Sequence, residues 1–322
     1  MKLCATAIFA IVMVAATNLS LSVGAVNAGP LKVVTTISQI ADAARAISGD
    51  RAEVSSLMGE GVDPHTYQLT RTDVRRLSQA NIIFWNGLFL EAQLEDFLTD
   101  LGATKPVVAL GPTLDEDQLL APAEFAGNFD PHIWMDPKLW SDVVTALADE
   151  LIKIDPEGKD AYLANSADYL QKIAELDAYN EAALATVPLE RRVMISAHDA
   201  FNYFGRRYGF EVIGIQGLST ASEAGLLAVE NLVEMIVTRK ISAVFAESSV
   251  SARNVRALIE GAKAQGHSVT VGGQLFSDAM GRPGTYEGSY IGMLDHNVTT
   301  ITRALDGEAP ALGFGGKLST GG

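Results

Sequence analysis

Cysteine is nearly absent from this sequence. The 322 residues contain one, Cys4, which lies before an apolar run from Ala5 to Ala16. The rest of the chain therefore forms no disulfide and offers neither a thiolate to a metal ion nor a thiol nucleophile. Any metal site must be built from histidine and oxygen ligands.

Basic residues are also scarce. The chain has 24 Lys and Arg against 39 Asp and Glu, which gives a net charge of −15. This balance argues against nucleic acid as a partner, because phosphate neutralisation needs basic patches. Hydrophobic residues make up 48% and charged residues 20%, so the composition excludes disorder over most of the chain. An acidic protein suits the handling of cations.

Long apolar runs are missing except at the N-terminus. Lys2, the apolar run and the small residues of Val26-Asn27-Ala28 are typical of a secretory signal peptide over residues 1–28. A membrane-spanning helix is the alternative, but it needs about 20 apolar residues. Cys4 precedes the apolar run, whereas the cysteine of a lipoprotein follows it. The sequence thus predicts a periplasmic protein without a lipid anchor.

The remaining chain alternates predicted strands with predicted helices. This pattern indicates α/β lobes with parallel sheets and helices on both faces. A long helical segment between Pro156 and Pro188 separates the two runs. The predicted organisation is an N-terminal lobe over 31–157, a linking helix over 158–188, a C-terminal lobe over 189–312 and a flexible tail over 313–322.

Two of the five histidines stand in the same tripeptide, Asp-Pro-His, ending at His65 and His132. Proline fixes its own φ and keeps the preceding aspartate extended, so each histidine is held on a stiff loop. Each aspartate is also placed to accept a hydrogen bond from a loop amide or from the ring. An ordinary hydrogen-bonded histidine is the alternative at each position.

His198 and Asp278 both follow predicted strands. The carboxyl ends of parallel strands are where open α/β sheets bind ligands. His267 and His296 lie in a polar turn and at a helix start, and a structural role is expected for both. Glu247, also at a strand end, is either a partner of a ligand, a group facing a partner protein, or a capping residue.

Six segments resemble a known family, the metal-binding receptors of bacterial ABC importers for zinc and manganese, of the TroA type. They follow in the family's order: DPHTY at 63–67, NGLFLE at 86–91, DPHIWMDP at 130–137, AHDAFNYF at 197–204, FAESS at 245–249 and LFSDAMG at 275–281. The resemblance covers about 31–310. It implies two lobes joined by one rigid helix, with metal ligands His65, His132, His198 and Asp278, two from each lobe.

The resemblance implies a substrate-binding protein, not an enzyme, that carries Zn²⁺ or Mn²⁺ as cargo to the permease of an ABC importer. It implies a monomer that binds no nucleic acid. Manganese receptors often have glutamate where His198 stands, and many zinc receptors have a histidine-rich loop where 113–128 is acidic. Three imidazoles and a carboxylate suit Zn²⁺, and a bidentate Asp278 would admit Mn²⁺. The alternatives are a mononuclear zinc hydrolase, although no HExxH segment exists, and a surface adhesin.

Overall fold

The computed structural model describes residues 29–125 and 127–319. The predicted signal peptide over 1–28 lies outside the described residues. Among the helices of the described ranges, none combines the length and the apolar character that a membrane span requires.

The N-terminal lobe is built on a four-stranded parallel sheet in the order β2-β1-β3-β4. Parallel strands need crossover connections, and helices supply them. β3 carries four consecutive buried apolar residues, as expected for a strand covered on both faces. The elements are β1 Leu31–Thr35, α1 Ser38–Ser48, β2 Ala52–Ser56, α2 Arg71–Gln79, β3 Ile82–Trp85, α3 Glu95–Gly102 and β4 Val107–Ala109.

A helix that the sequence analysis did not predict follows this sheet. α4 covers Pro137–Ile154. Its N-cap is Asp136, whose side chain accepts the amide of Lys138. Proline at the first helical position after an N-cap aspartate is a strong start signal. α4 packs against the linking helix.

The predicted linking helix is confirmed as α5, Lys159–Ala185, with 27 residues. At 1.5 Å per residue it is about 40 Å long. It contacts α1 and α4 from the N-terminal half of the chain and α9 from the C-terminal half, so one element joins both halves.

The C-terminal lobe repeats the α/β pattern. β5 pairs in parallel with β6, and β7 with β8, while β5 and β7 lie side by side. The predicted α/β class is thus confirmed. The elements are β5 Val193–His198, α6 Asn202–Tyr208, β6 Glu211–Gln216, α7 Leu226–Arg239, β7 Ala243–Glu247, α8 Arg253–Ala264, β8 Thr270–Leu275 and α9 Tyr290–Ala304.

One boundary near the C-terminal end differs from the prediction. α9 begins at Tyr290, so His296 lies inside this helix and not at its start, because Ser289 caps the helix by accepting the amide of Gly292. The predicted flexible tail makes contacts over its described part: the Phe314 amide donates to Asp295 and the Ser319 amide to Glu287.

Candidate metal centre

The structure brings together the four side chains that the sequence singles out. His65 lies in the loop after β2, His132 in the segment after β4, His198 at the end of β5, and Asp278 just after β8. They are 2%, 0%, 0% and 2% exposed, respectively. One ligating atom from each lies within 4.8 Å of the other three. The cluster therefore sits between the lobes at the carboxyl ends of their strands.

The distances between these atoms match a small coordination sphere. The His132 Nε2 lies 3.4 Å from the Nε2 of both His65 and His198, and 3.4 Å from Asp278 Oδ1. The Nε2 of His198 lies 3.2 Å from Asp278 Oδ2. A tetrahedral ion with ligands at 2.0–2.1 Å places those ligands about 3.3–3.4 Å apart. Three imidazole nitrogens converging in this way fit a shared cation.

His132 is oriented by the aspartate of its own tripeptide. Asp130 Oδ1 accepts the backbone amide of His132 at 3.0 Å and lies 2.8 Å from its Nδ1. The C-terminal lobe holds this loop, since Asn202 donates to Asp130 Oδ2 at 3.1 Å and the Tyr203 hydroxyl to the Asp130 carbonyl at 2.8 Å. With Nδ1 paired, Nε2 is left to face the cluster.

His198 is oriented by Glu247, whose role the sequence leaves open. Oε1 of Glu247 accepts the His198 amide at 2.9 Å, and Oε2 lies 2.5 Å from Nδ1. Glu247 ends β7, which is next to β5. The sequence predicts that His198 and Glu247 both lie at strand ends. That these two strands are neighbours, which makes Glu247 the partner of His198, is visible only in the structure. Carboxylates of this kind fix the tautomer and raise the basicity of a ligating histidine.

His65 has a different environment. Asp63 Oδ1 accepts the His65 amide at 2.9 Å, but no described residue pairs with its Nδ1. Burial lowers the pKa of His65 to about 3, despite the nearby charge of Asp278. This ring is therefore neutral and ready to coordinate at physiological pH.

Asp278 lies in a loop that the N-terminal lobe holds by its backbone. Gln39 donates to the Asp278 carbonyl at 3.0 Å, and the Trp134 indole donates to the Ser277 carbonyl at 2.9 Å. Within the described ranges neither carboxylate oxygen of Asp278 has a hydrogen-bond partner. Both oxygens can thus serve an ion.

The charges of the cluster are strongly coupled. Burial raises the pKa of Asp278, but the charges and hydrogen bonds of His198 and His132 together outweigh it and hold this pKa well below the usual range. Burial lowers the pKa of His132, but the charges and hydrogen bonds of Asp130 and Asp278 together outweigh it, and the pKa is raised to about 9. A cation entering the site must displace such ring protons, so affinity for a metal should fall as the pH falls.

The other two histidines lie outside the cluster. The Nε2 of His267 lies 2.6 Å from the Ile241 carbonyl, and that of His296 lies 2.8 Å from the Gln274 carbonyl. Both bind backbone, as expected for structural residues.

The fold and the site together define a class: a two-lobe α/β protein whose cleft carries a ligand set suited to one divalent metal ion. Comparison with known families agrees with this class. The chain belongs to the family described as ZnuA, the periplasmic component A of a zinc-uptake complex, whose model matches residues 33–304.

Several characterised proteins are similar to the chain. The manganese-binding lipoprotein MntA of Bacillus subtilis is 45% identical over 275 residues, which are 85% of this chain and 90% of MntA. The zinc-binding protein TroA of Treponema pallidum is 46% identical over 273 residues, which are 85% of this chain and 88% of TroA. A solved structure of the T. pallidum protein superposes with a TM-score of 0.84 and covers 86% of this chain and 99% of that chain.

The prediction of a protein without a lipid anchor is contradicted by these relatives. MntA is named a lipoprotein, and so is the metal ABC transporter substrate-binding protein FimA of Streptococcus parasanguinis, 31% identical over 86% of this chain and 90% of FimA. The prediction was wrong because it rested on the position of Cys4 alone, within residues that the structure does not describe. An extracytoplasmic location fits the family description.

Proposed function

We propose that this protein is the extracytoplasmic substrate-binding component of an ABC importer for divalent metal ions. It encloses one Zn²⁺ or Mn²⁺ ion with His65, His132, His198 and Asp278 and delivers it to the permease. The observation that carries the proposal is the convergence of four buried ligating atoms within 4.8 Å. The lobes over 31–157 and 189–312, joined by the helix over 158–188, each contribute two ligands.

The donor set supports both metals as cargo. Three imidazoles and a carboxylate at tetrahedral spacing suit Zn²⁺. The two free oxygens of Asp278 permit bidentate binding, which suits the higher coordination number that Mn²⁺ accepts. The two relatives of nearly equal identity are named for different metals. By the Irving–Williams order, Zn²⁺ binds more tightly than Mn²⁺ to the isolated protein.

We infer that the site binds its ion without catalysing a reaction. Catalytic zinc keeps three protein ligands and an open position for water. Here four protein side chains fill a tetrahedral set, and all four are buried. The nearby carboxylates Asp130 and Glu247 are engaged with ligand histidines, so neither is free to act as a general base.

The test is a metal titration of the purified, chelator-stripped protein with Zn²⁺ and Mn²⁺ in separate experiments. We expect one ion per chain. An ion at 100 times its dissociation constant stabilises the folded state by about 2.7 kcal/mol, which raises the melting temperature by about 4 °C for a chain of this size. The variant His267→Ala should behave like the wild type. Absence of a stoichiometric ion together with an unchanged melting temperature would refute the proposed function.

A further inference from the structure

The loops that carry the ligands differ in the hydrogen bonds that they form with the opposite lobe. Asn202 and Tyr203 of the C-terminal lobe hold the loop of His132 through Asp130. Gln39 and Trp134 of the N-terminal lobe hold the loop of Asp278. These donors and acceptors are buried or partly buried, so both loops are fastened in the interior.

The loop of His65 is held much less firmly. Between residues 57–70 and the C-terminal lobe, one hydrogen bond occurs within the described parts of the chain: the Thr220 hydroxyl donates to Asp63 Oδ2 at 2.5 Å. Both side chains are half-buried, and Thr66 beside them is exposed. The contact therefore joins the two lobes at a partly exposed edge of the cleft, which we call its mouth, two residues before His65.

Asp63 links this contact to the position of His65. While Oδ2 accepts the Thr220 hydroxyl, Oδ1 accepts the amide of His65 at 2.9 Å. The His65 ring has no second partner at Nδ1 among the described residues. His132 and His198 would keep their carboxylate partners if the mouth opened, but the loop of His65 would lose its hydrogen bond to the other lobe.

We propose that Thr220 is a positioning residue that sets the rate of metal release. This inference rests on the proposed function. The Thr220–Asp63 hydrogen bond, called the latch below, holds the segment 217–225, between β6 and α7, against the loop of His65. Breaking the bond lets His65 withdraw from the ion first, while the two braced loops keep their places. The same contact would be the first that a docking permease has to disturb.

The test compares Thr220→Val, which lacks the hydroxyl, with Thr220→Ser, which retains it. The full-length zinc-loaded protein is mixed with excess chromogenic chelator, and the release rate of Zn²⁺ is followed by absorbance. We expect Thr220→Val to release Zn²⁺ about five- to tenfold faster, the size of effect expected for one hydrogen bond at a half-buried position. Thr220→Ser should match the wild type.

Two controls separate a latch from a general loss of structure. Thr145→Val makes the same substitution at an exposed residue of α4 whose hydroxyl bonds to the Ser141 carbonyl; its release rate should be unchanged. The melting temperature of metal-free Thr220→Val should stay within about 2 °C of the wild type, the shift expected from the loss of one hydrogen bond in a chain of this length. Thr220→Ala serves as a second hydroxyl-free variant if the valine variant does not fold.

The outcomes are distinguishable from a failure of the proposed function. A wild-type protein that holds stoichiometric Zn²⁺, with release from Thr220→Val within about twofold of it, would overturn the latch alone. Equally fast release from Thr220→Ser or Thr145→Val would also overturn it. A wild-type protein that holds no ion would overturn both proposals.

Discussion

At the scale of single residues, the two Asp-Pro-His tripeptides share a backbone turn but differ in what the aspartate does next. In both, Oδ1 accepts the amide of the histidine, at 2.9 Å for Asp63 and 3.0 Å for Asp130. The fully buried Asp130 also pairs with the His132 ring. The second oxygen of Asp63 instead accepts hydrogen bonds from the hydroxyls of Thr66 and Thr220. Identical motifs thus produce one firmly oriented imidazole and one that depends on the mouth of the cleft.

Removal of His132 should weaken metal binding by at least about tenfold, since one of four ligands disappears and the buried Asp130 loses its ring partner. The measurement is a competition titration of His132→Ala with a zinc chelator. His267→Ala is the matched control, because that ring binds only backbone outside the cluster. An affinity equal to that of the wild type would remove His132 from the site.

Glu247→Gln should lower zinc affinity by about ten- to a hundredfold, the usual cost of losing the carboxylate behind a ligating histidine. The amide keeps the size of the side chain but cannot accept a hydrogen bond at both positions that now face His198. Glu211→Gln is the control, since Glu211 pairs with Arg239 at the surface. Equal affinities for the two variants would show that Glu247 does not act on the metal.

The sequence carries the candidate ligands because short motifs mark them. The repeated tripeptide and the strand-end positions mark His65, His132, His198 and Asp278 as candidates, and the resemblance to TroA-type receptors implies that they are the ligands. The sequence does not reveal that Glu247 orients His198, because this depends on which strands are neighbours. Contacts such as Thr220 with Asp63 join residues far apart in the chain, and no local pattern records them.

At the scale of elements, the buried carboxylate of Glu91, in the segment after β3, supports the loop that carries His132. Gly87, Leu88 and Phe89 have φ values of 75°, 53° and 67°, which is a costly conformation for the two larger residues. Glu91 holds the turn, accepting the Asn86 and Gly87 amides at 2.9 and 3.1 Å. Asn86 in turn donates to the Pro131 carbonyl at 3.0 Å, next to His132. The turn therefore supports the His132 loop.

Glu91 should make the metal-free protein less stable as the pH rises. Burial raises its pKa from 4.5 to about 7, against the hydrogen bonds from Thr36 and the turn amides. Between these values the folded state binds the extra proton, so the contribution of Glu91 to stability is fully present below pH 4.5 and is lost as the pH rises through 7. From pH 5 to pH 8 the loss is about 2–3 kcal/mol.

Urea unfolding of the metal-free wild type and of Glu91→Gln at pH 5 and pH 8 measures this effect. The difference in unfolding free energy between the two pH values should be smaller in the variant by that amount. Glu53→Gln, at an exposed position of β2, should retain the wild-type difference. Parallel pH profiles for wild type and Glu91→Gln would contradict the assignment.

Element boundaries were predicted where the pattern was regular. The linking helix, confirmed as α5, stands between two prolines. α4 was missed although Asp136 and Pro137 mark its start, because the preceding segment was interpreted only as a ligand motif. The start of α9 was placed too late because its first turn contains Tyr290 and Gly292, which weaken a helical pattern, and its cap Ser289 follows a glycine-rich loop.

At the scale of the whole molecule, α5 and the buried aromatic residues limit how the lobes can move. In its first half, Tyr169 donates to Asp42 of α1 at 2.8 Å; in its second half, Asp177 accepts the Tyr208 hydroxyl at 2.8 Å. Tyr290 of the C-terminal lobe stacks on Trp140 of α4 at 5.3 Å. One continuous hydrophobic core includes residues of both lobes. A wide hinge would have to break these buried contacts.

Metal loading should therefore change the overall shape very little. We expect the radius of gyration from small-angle scattering to differ by less than about 0.5 Å between stripped and zinc-loaded protein, since closure would be confined to the cleft loops. The double variant Lys172→Gly and Glu175→Gly weakens α5 at exposed positions, at about 1 kcal/mol for each glycine. It should show a larger change if the helix restrains the lobes. A change above about 1.5 Å in the wild type would indicate a hinge, and release would then need more than the opening of the latch at Thr220.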